Sequence, residues 1–347
     1  MDAYRCSPRQ LRSFIADALQ AGLVPFVTAS PGVGKSSIMK LVAKDFDLKV
    51  IDHRLSTSAP EDLSGLPRFH DGFAQFLPFK DLFPLEDTPV PKDFAGWMLF
   101  LDEFNSSAKS VQAAAYKLVL DRMVGQFKLH PNCVITAAGN LSTDRAIVNQ
   151  ISTAMQSRVV HLELEVNFQE WLYDVAFANN YDQRIIGFLS QFENKLMDFN
   201  PSHTEKTFAC PRTWEFVNSL CQLPNYQGDL TDKAPLLTGA LTSGIATEFI
   251  TFANVWKDLV TIDMVVKDPK NLRIPDSASS KWATIAHLME NINVVNFDDV
   301  CTYVNRQEFG ISMRILFFRS TMVRHPNLRQ HPSFTKAMSE LAKYLTI

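Results

Sequence analysis

The sequence is poor in cysteine and arranges none of it into a pattern. Cys6, Cys133, Cys210, Cys221 and Cys301 are odd in number, widely scattered and without a C-x-x-C pair. That excludes a disulfide framework or a cysteine zinc site, and predicts buried thiols in a reducing compartment. The eight histidines form no H-x-H or H-x-x-x-H pair, so a histidine metal centre has no support either. Charge of one sign is missing too: the net charge is -3, which argues against general binding of polyanions. The longest apolar runs are about six residues, far short of the roughly 20 of a membrane helix. No apolar signal-type segment follows Met1–Arg5, so a cytoplasmic protein with no membrane association is expected. There is no internal repeat and no low-complexity stretch.

What is present suits a globular chain. Of 347 residues, 46% are hydrophobic, enough for a sizeable core and for two domains. The 26 phenylalanines are spread along the chain, as core packing requires. Residues 8–21 place Leu11, Phe14, Ile15, Ala18 and Leu19 at helical spacing, behind a Ser7-Pro8 start. Residues 23–28 read as a short buried strand. Helical spacing returns from Ser36 to Asp45, and residues 48–52 read as a second strand. This order, helix–strand–loop–helix–strand, belongs to a parallel sheet covered by helices.

Residues 54–92 hold six prolines and read as irregular, with His70-Asp71-Gly72-Phe73 able to turn a hairpin. Trp97–Leu101 is an unbroken apolar run, which predicts a central strand buried on both faces. A helix is expected over 108–124 and further strands over 133–137 and 158–162. The prediction is an α/β fold with a five-stranded parallel sheet. Beyond about residue 165 the pattern is helical, broken near 222–235 and 268–276.

Between a strand and a helix lies Ala29-Ser30-Pro31-Gly32-Val33-Gly34-Lys35-Ser36, followed by Ser37. It matches the phosphate-loop pattern G-x-x-x-x-G-K-[ST] except that Ala29 stands where the first glycine belongs. Glycines let successive backbone N–H groups face phosphate oxygens, and the following helix adds its dipole. Residues Ser30 to Ser37 would cradle ATP, with Lys35 on the β- and γ-phosphates and Ser36 on magnesium. The apolar strand at 97–101 ends in Asp102-Glu103. Beside a magnesium-bound triphosphate, Asp102 would hold the metal shell and Glu103 would polarise the attacking water. Taken alone, the pair also reads as a solvated strand end. Asn140 closes the strand at 133–137, where carboxyl ends line a ligand crevice, though Gly139-Asn140 is also a common turn pair. Arg158 precedes the last strand, and Arg212 follows Pro211 at a helix start; each alone also reads as a surface residue.

Taken in this order, the motifs resemble those of an AAA+ ATPase over roughly residues 8–220. Ala59–Gly65, Leu101-Asp102-Glu103-Phe104-Asn105, Val111–Ala114 and Ala137-Ala138-Gly139-Asn140 resemble its MoxR branch, in the compact form found in phage and bacteria. The resemblance implies an ATP- and Mg2+-dependent ATPase, an α/β domain over 1–165, a helical lid over 166–225 and a helical C-terminal extension over 226–347. It implies Asn140 as first sensor, Arg212 as second sensor on the lid, and Arg158 as an arginine finger serving a neighbouring subunit, with Arg145 a competing finger. Val159 stands where phenylalanine usually follows the finger. A homo-oligomeric ring, usually a hexamer, is implied. So is a protein partner, commonly one carrying a von Willebrand factor A domain, within a bacterial cytoplasm.

Three functions stay in view: an ATP-driven remodeller of a protein partner, a nucleic-acid-directed motor, and a nucleotide-gated structural ring. The motor would need a basic surface, for which Arg314–Arg329, with Arg319, Arg324 and His325, is the candidate. Trp256, Trp282 and the stripe Ile285, Leu288, Met289, Ile292 read as core, or as a docking face for a partner.

Overall fold

The computed structural model describes residues 4–144, 148–254 and 260–342. Arg145 and Trp256 lie outside the described residues. The chain divides into two units, one holding the described residues up to 167 with 200–202, the other the remainder.

In the first unit the elements run β1 (Arg5–Cys6), α1 (Pro8–Gln20), β2 (Pro25–Ala29), α2 (Lys35–Asp45), β3 (Leu48–Arg54) and α3 (Pro60–Ser64). Then come the hairpin strands β4 (Leu66–His70) and β5 (Phe73–Leu77), β6 (Gly96–Asp102), and α4 (Lys109–Asp121). A small hairpin β7 (Met123–Val124) and β8 (Phe127–Lys128) precedes β9 (Cys133–Asn140), α5 (Thr153–Gln156) and β10 (Val160–Leu164). The main sheet is parallel, in the order β1-β10-β2-β9-β6-β3.

The sheet therefore has six strands where five were expected. The sixth, β1, is two residues long and pairs Arg5↔Glu163 and Cys6↔Leu164 at the edge. Two residues carry no readable alternation; β10, from far along the chain, inserts between β1 and β2. Elsewhere local pattern and structure agree closely. In β6 all seven residues are buried. Leu99 and Leu101 pack with Val111, Ala115 and Leu118 of α4 on one face, while Met98 and Phe100 pack with residues of α1 and α2 on the other. Helices on both faces explain the unbroken apolar run. Asp71 and Gly72 have φ of 49° and 81°, the two left-handed residues of a two-residue hairpin loop. The helix expected to reach Val124 stops at Asp121, because Arg122 adopts φ 53° and sends the chain into β7.

The second unit is helical: α6 (Phe168–Trp171), α7 (Gln183–Gln191), α8 (Pro211–Cys221), α9 (Ala234–Ala240), α10 (Ser243–Asn254), α11 (Ile262–Lys267), α12 (Ala278–Asn291), α13 (Phe297–Val304), α14 (Gly310–Arg324) and α15 (Pro332–Leu341). Phe188, Trp214 and Phe249 pack together where α7, α8 and α10 meet, with Phe249 edge-to-face against both and Phe188 tilted against Trp214. Ile285, Leu288, Met289 and Ile292 are buried in a second core with α13, α14 and α15, and Trp282 packs against it. That stripe is packing within the unit. Among the described residues no helix is long and apolar enough to cross a membrane.

Candidate active site

The glycine-containing loop after Ala29 leaves the carboxyl end of β2, flanked in the sheet by β10 and β9. Gly32 and Gly34 have φ of 77° and 98°, which L side chains rarely adopt. Gly34 is the N-cap of α2, and no side chain caps this helix. The first-turn N–H groups of a helix have no partner four residues earlier, so this end is open to an anion. Ala29, in the place of the first glycine, is fully buried as the last residue of β2, paired with Asn140. It is absent from the described residues with positive φ, so a methyl group there brings no strain.

Lys35 folds back across the loop. Its Nζ donates to the carbonyls of Ala29 (2.9 Å) and Ser30 (3.2 Å) and to Asn140 Oδ1 (3.4 Å). Ser36 Oγ donates to Asp102 Oδ2 at 3.4 Å. Asp102 is buried at the end of β6, and burial raises its carboxyl above the usual carboxylate range. Asp52 and Glu103 add repulsion in the same direction, while the Glu103 N–H bond and Lys35 pull it back. An anion in this position gains from a nearby cation. Lys35, Ser36, Asp102 and Asn140 thus meet at the carboxyl edge of β2, β6 and β9, with Ser30–Ser37 forming the loop beside them.

Glu103 begins the turn after β6, with φ 54°. Its carboxylate takes a short hydrogen bond from Ser56 and an ion pair from Arg54 Nε at 3.7 Å. Arg54 ends β3 directly opposite Asp102 in the register. Arg54 and Ser56 were missed in the sequence. The available signal was their place at the end of the strand next to Asp-Glu, which required knowing that β3 and β6 are neighbours. Asn105 was quoted only as part of a motif; its buried amide bonds the backbone of Asn140.

Arg158 lies elsewhere. It lies two residues before β10, whose first residue pairs with Pro25 at the start of β2, so it sits at the opposite end of the strands from the loop. It is exposed, and its Nη1 donates to the Ala154 carbonyl at 2.8 Å. Arg212 is exposed in the first turn of α8, in the second unit. The basic run of α14 is engaged inside its own unit: Arg319 lies over the Tyr173 ring and Arg324 over Phe177, at 5.8 and 5.2 Å. Arg314 contacts Asn305 and Glu340. His325 Nε2 bonds the Met289 carbonyl at 3.1 Å.

No protein-family model matches the chain, and no curated protein does. Solved structures are similar in part, two of which illustrate the likeness. One is the RuvB Holliday junction branch migration motor of Thermotoga maritima, with 13% identity and a TM-score of 0.36 over 70% of this chain and 67% of that one. The other is a putative ATPase from Cytophaga hutchinsonii, with 13% identity and a TM-score of 0.36 over 89% of this chain and 79% of that one. At such values neither likeness bears on what this chain does.

Proposed function

We propose that the chain is a magnesium-dependent ATPase of AAA+ type, closest in kind to the MoxR branch. On this reading it works as a homo-oligomeric ring in the cytoplasm and remodels a protein partner. The observation that carries the proposal is the meeting of Lys35, the Ser36–Asp102 pair and Asn140 beside an uncapped helix end. That donor set fits a polyphosphate: backbone N–H groups and an ammonium for its oxygens, and a hydroxyl with a carboxylate for its metal. Ser30–Ser37 would hold ATP, and Ser36 and Asp102 would hold Mg2+. Bound magnesium neutralises charge on the phosphate oxygens.

The protein's own groups supply the rest. Glu103 accepts a proton from the attacking water once it leaves Ser56 and Arg54. Asn140 orients that water or the terminal phosphate, and Lys35 exchanges its loop carbonyls for phosphate oxygens. Arg158, at the far end of the strands from its own loop, suits a finger for an adjacent subunit. That supports a ring, with a hexamer as the expected size. Arg212 is proposed as the second sensor, with 166–225 as the lid and 226–347 as the extension. A von Willebrand factor A partner is a proposal from resemblance alone. A nucleic-acid motor is not favoured, since the arginines of α14 engage the unit's own rings and the Asn305 and Glu340 side chains.

The test is ATP turnover and native mass of the purified chain. Glu103→Gln should bind ATP without turnover, and mixing Arg158→Ala with Lys35→Ala should restore part of the activity neither has alone. A wild-type chain that binds no ATP with magnesium sinks the proposal; no recovery on mixing sinks the shared site.

A further inference from the structure

Strand β9 outruns one of its neighbours. Against β2 it stays in register through Ala29↔Asn140, but against β6 the pairing stops at Leu101↔Ala137. The last residues of β9 therefore have no strand on the β6 side. A side chain fills the gap. Asn105 Nδ2 donates to the Asn140 carbonyl at 2.7 Å, and Asn105 Oδ1 accepts the Asn140 N–H at 2.9 Å. One amide thus makes both ladder bonds that two residues of a longer β6 would have made. Its approach depends on Gly139: a Cβ there would lie 2.7 Å from Asn105 Cγ, closer still to Oδ1, and 3.0 Å from Phe26 Cζ.

The same turn is tied on its other side. The Asn105 carbonyl accepts the Asn149 N–H at 2.6 Å, and Asn149 Nδ2 donates to the Ser107 carbonyl at 2.8 Å. Ser106 Oγ accepts from Asn140 Nδ2 at 3.1 Å. With its backbone and Nδ2 fixed, Asn140 presents Oδ1 to Lys35.

We propose that Asn105 is the positioning residue that fixes Asn140 for the reaction, with Gly139 as the space it needs. The role in the reaction rests on the ATPase reading; the holding of Asn140 does not. No other standard side chain does this at this length. Aspartate lacks the donor, leucine lacks both groups, and glutamine is one carbon longer.

The experiment compares wild type, Asn105→Leu, Gly139→Ala and Asn140→Ala as full-length protein, by amide hydrogen exchange at residue 140 and by steady-state kinetics with Mg-ATP. In Asn105→Leu the Asn140 amide should exchange about five- to tenfold faster, the worth of one hydrogen bond. The kcat should fall to the level of Asn140→Ala, with the Kd for ATP within about threefold because the loop is untouched. The double variant Asn105→Leu with Asn140→Ala should lose no more than Asn140→Ala alone. Gly139→Ala should reproduce the exchange change, and decides the matter if Asn105→Leu does not fold. Unchanged exchange at 140, or a wild-type kcat with faster exchange, overturns the proposal. A wild type that turns over no ATP removes the role in the reaction, and the exchange result still decides whether Asn105 holds Asn140.

Discussion

Replacing Lys35 by alanine tests the phosphate loop most directly, and the structure sets the size of the effect. In the free protein the ammonium is already engaged, with Ala29 and Ser30 carbonyls at 2.9 and 3.2 Å and Asn140 Oδ1 at 3.4 Å. Binding a phosphate would exchange those contacts, charged on the donor alone, for ones charged on both donor and acceptor. A hydrogen bond to a charged group is worth about 1.5–3 kcal/mol, and a neutral one about 0.5–1.5. With tenfold in affinity per 1.4 kcal/mol, losing one phosphate contact weakens binding about 10- to 150-fold. The exchange of partners draws the expectation to the lower part of that range. Two carbonyls lose their donor in Lys35→Ala: water can replace it at half-buried Ser30, but Ala29 is fully buried, so stability should fall by about 1–3 kcal/mol. Calorimetric titration with Mg-ATP, with thermal unfolding as control, reads both quantities. Lys35→Arg, which keeps the charge, should lose less. A folded Lys35→Ala protein with a Kd within threefold of wild type would refute the assignment of this loop.

Asp102→Asn should separate stability from function. Burial raises the Asp102 carboxyl, so its charged form is a cost to the folded state at neutral pH. The neutral isostere should unfold at a higher denaturant midpoint while magnesium dependence of nucleotide binding disappears; a loss of stability would contradict the electrostatic account. Burial holds the pKa of His53 and His287 below the ordinary histidine value, opposed at His53 by Asp62 and Asp52. Such groups stay neutral in the folded state, so their contribution is complete above an unfolded pKa of about 6.5 and is lost as pH falls below it. The melting temperature should drop between pH 7 and 5, less steeply in His53→Gln; an equal slope would exclude His53 as a source. The five cysteines are buried and free, with Cys133 pushed up by burial to about 11 and Cys221 and Cys301 to about 12. Native protein at pH 8 should show no rapidly reacting thiol at these three positions, against full reaction in denaturant; modification of one within minutes would contradict its burial. Ala29→Gly, which restores the usual loop glycine, should leave ATP affinity unchanged and cost about 1 kcal/mol, from a lost buried methyl and a freer unfolded chain; tighter binding would show that the loop wanted the glycine.

What could be read in advance was whatever depends on local pattern. The run Trp97–Leu101 named its own strand because helices cover both faces of it. Asp71-Gly72 named its turn because two successive residues with positive φ admit few side chains. The loop at Ser30–Ser37 and the Asp-Glu pair were legible for the same reason: the chemistry sits in consecutive residues. What stayed hidden depends on the order of strands. Arg54 and Ser56 reach Glu103 only because β3 lies beside β6, some 47 residues away along the chain in the case of Ser56. The pairing of β1 with β10 spans a separation no local window covers. Asn105 looked like part of a motif, and Gly139-Asn140 like a turn. Their contact exists because two parallel strands end at different heights.

That difference in height organises the site. Had β6 continued beside β9, Asp102 and Glu103 would have alternated to opposite faces of the sheet, as strand residues do. Instead the chain leaves β6 through a non-glycine residue at φ 54°, a conformation that costs roughly 1–2 kcal/mol for an L side chain. The Glu103 N–H closes onto Asp102 Oδ1 at 2.8 Å, which stabilises the turn and orients the carboxylate facing Ser36. The Glu103 side chain swings toward Arg54 and Ser56, and the next turn drops Asn105 into the space beside β9. One strained residue therefore sets three groups at once: the carboxylate beside the loop hydroxyl, the carboxylate proposed as proton acceptor, and the amide that bonds Asn140. A glycine at 103 would relieve the strain and remove the acceptor, so the strain and the chemistry are bound to the same residue.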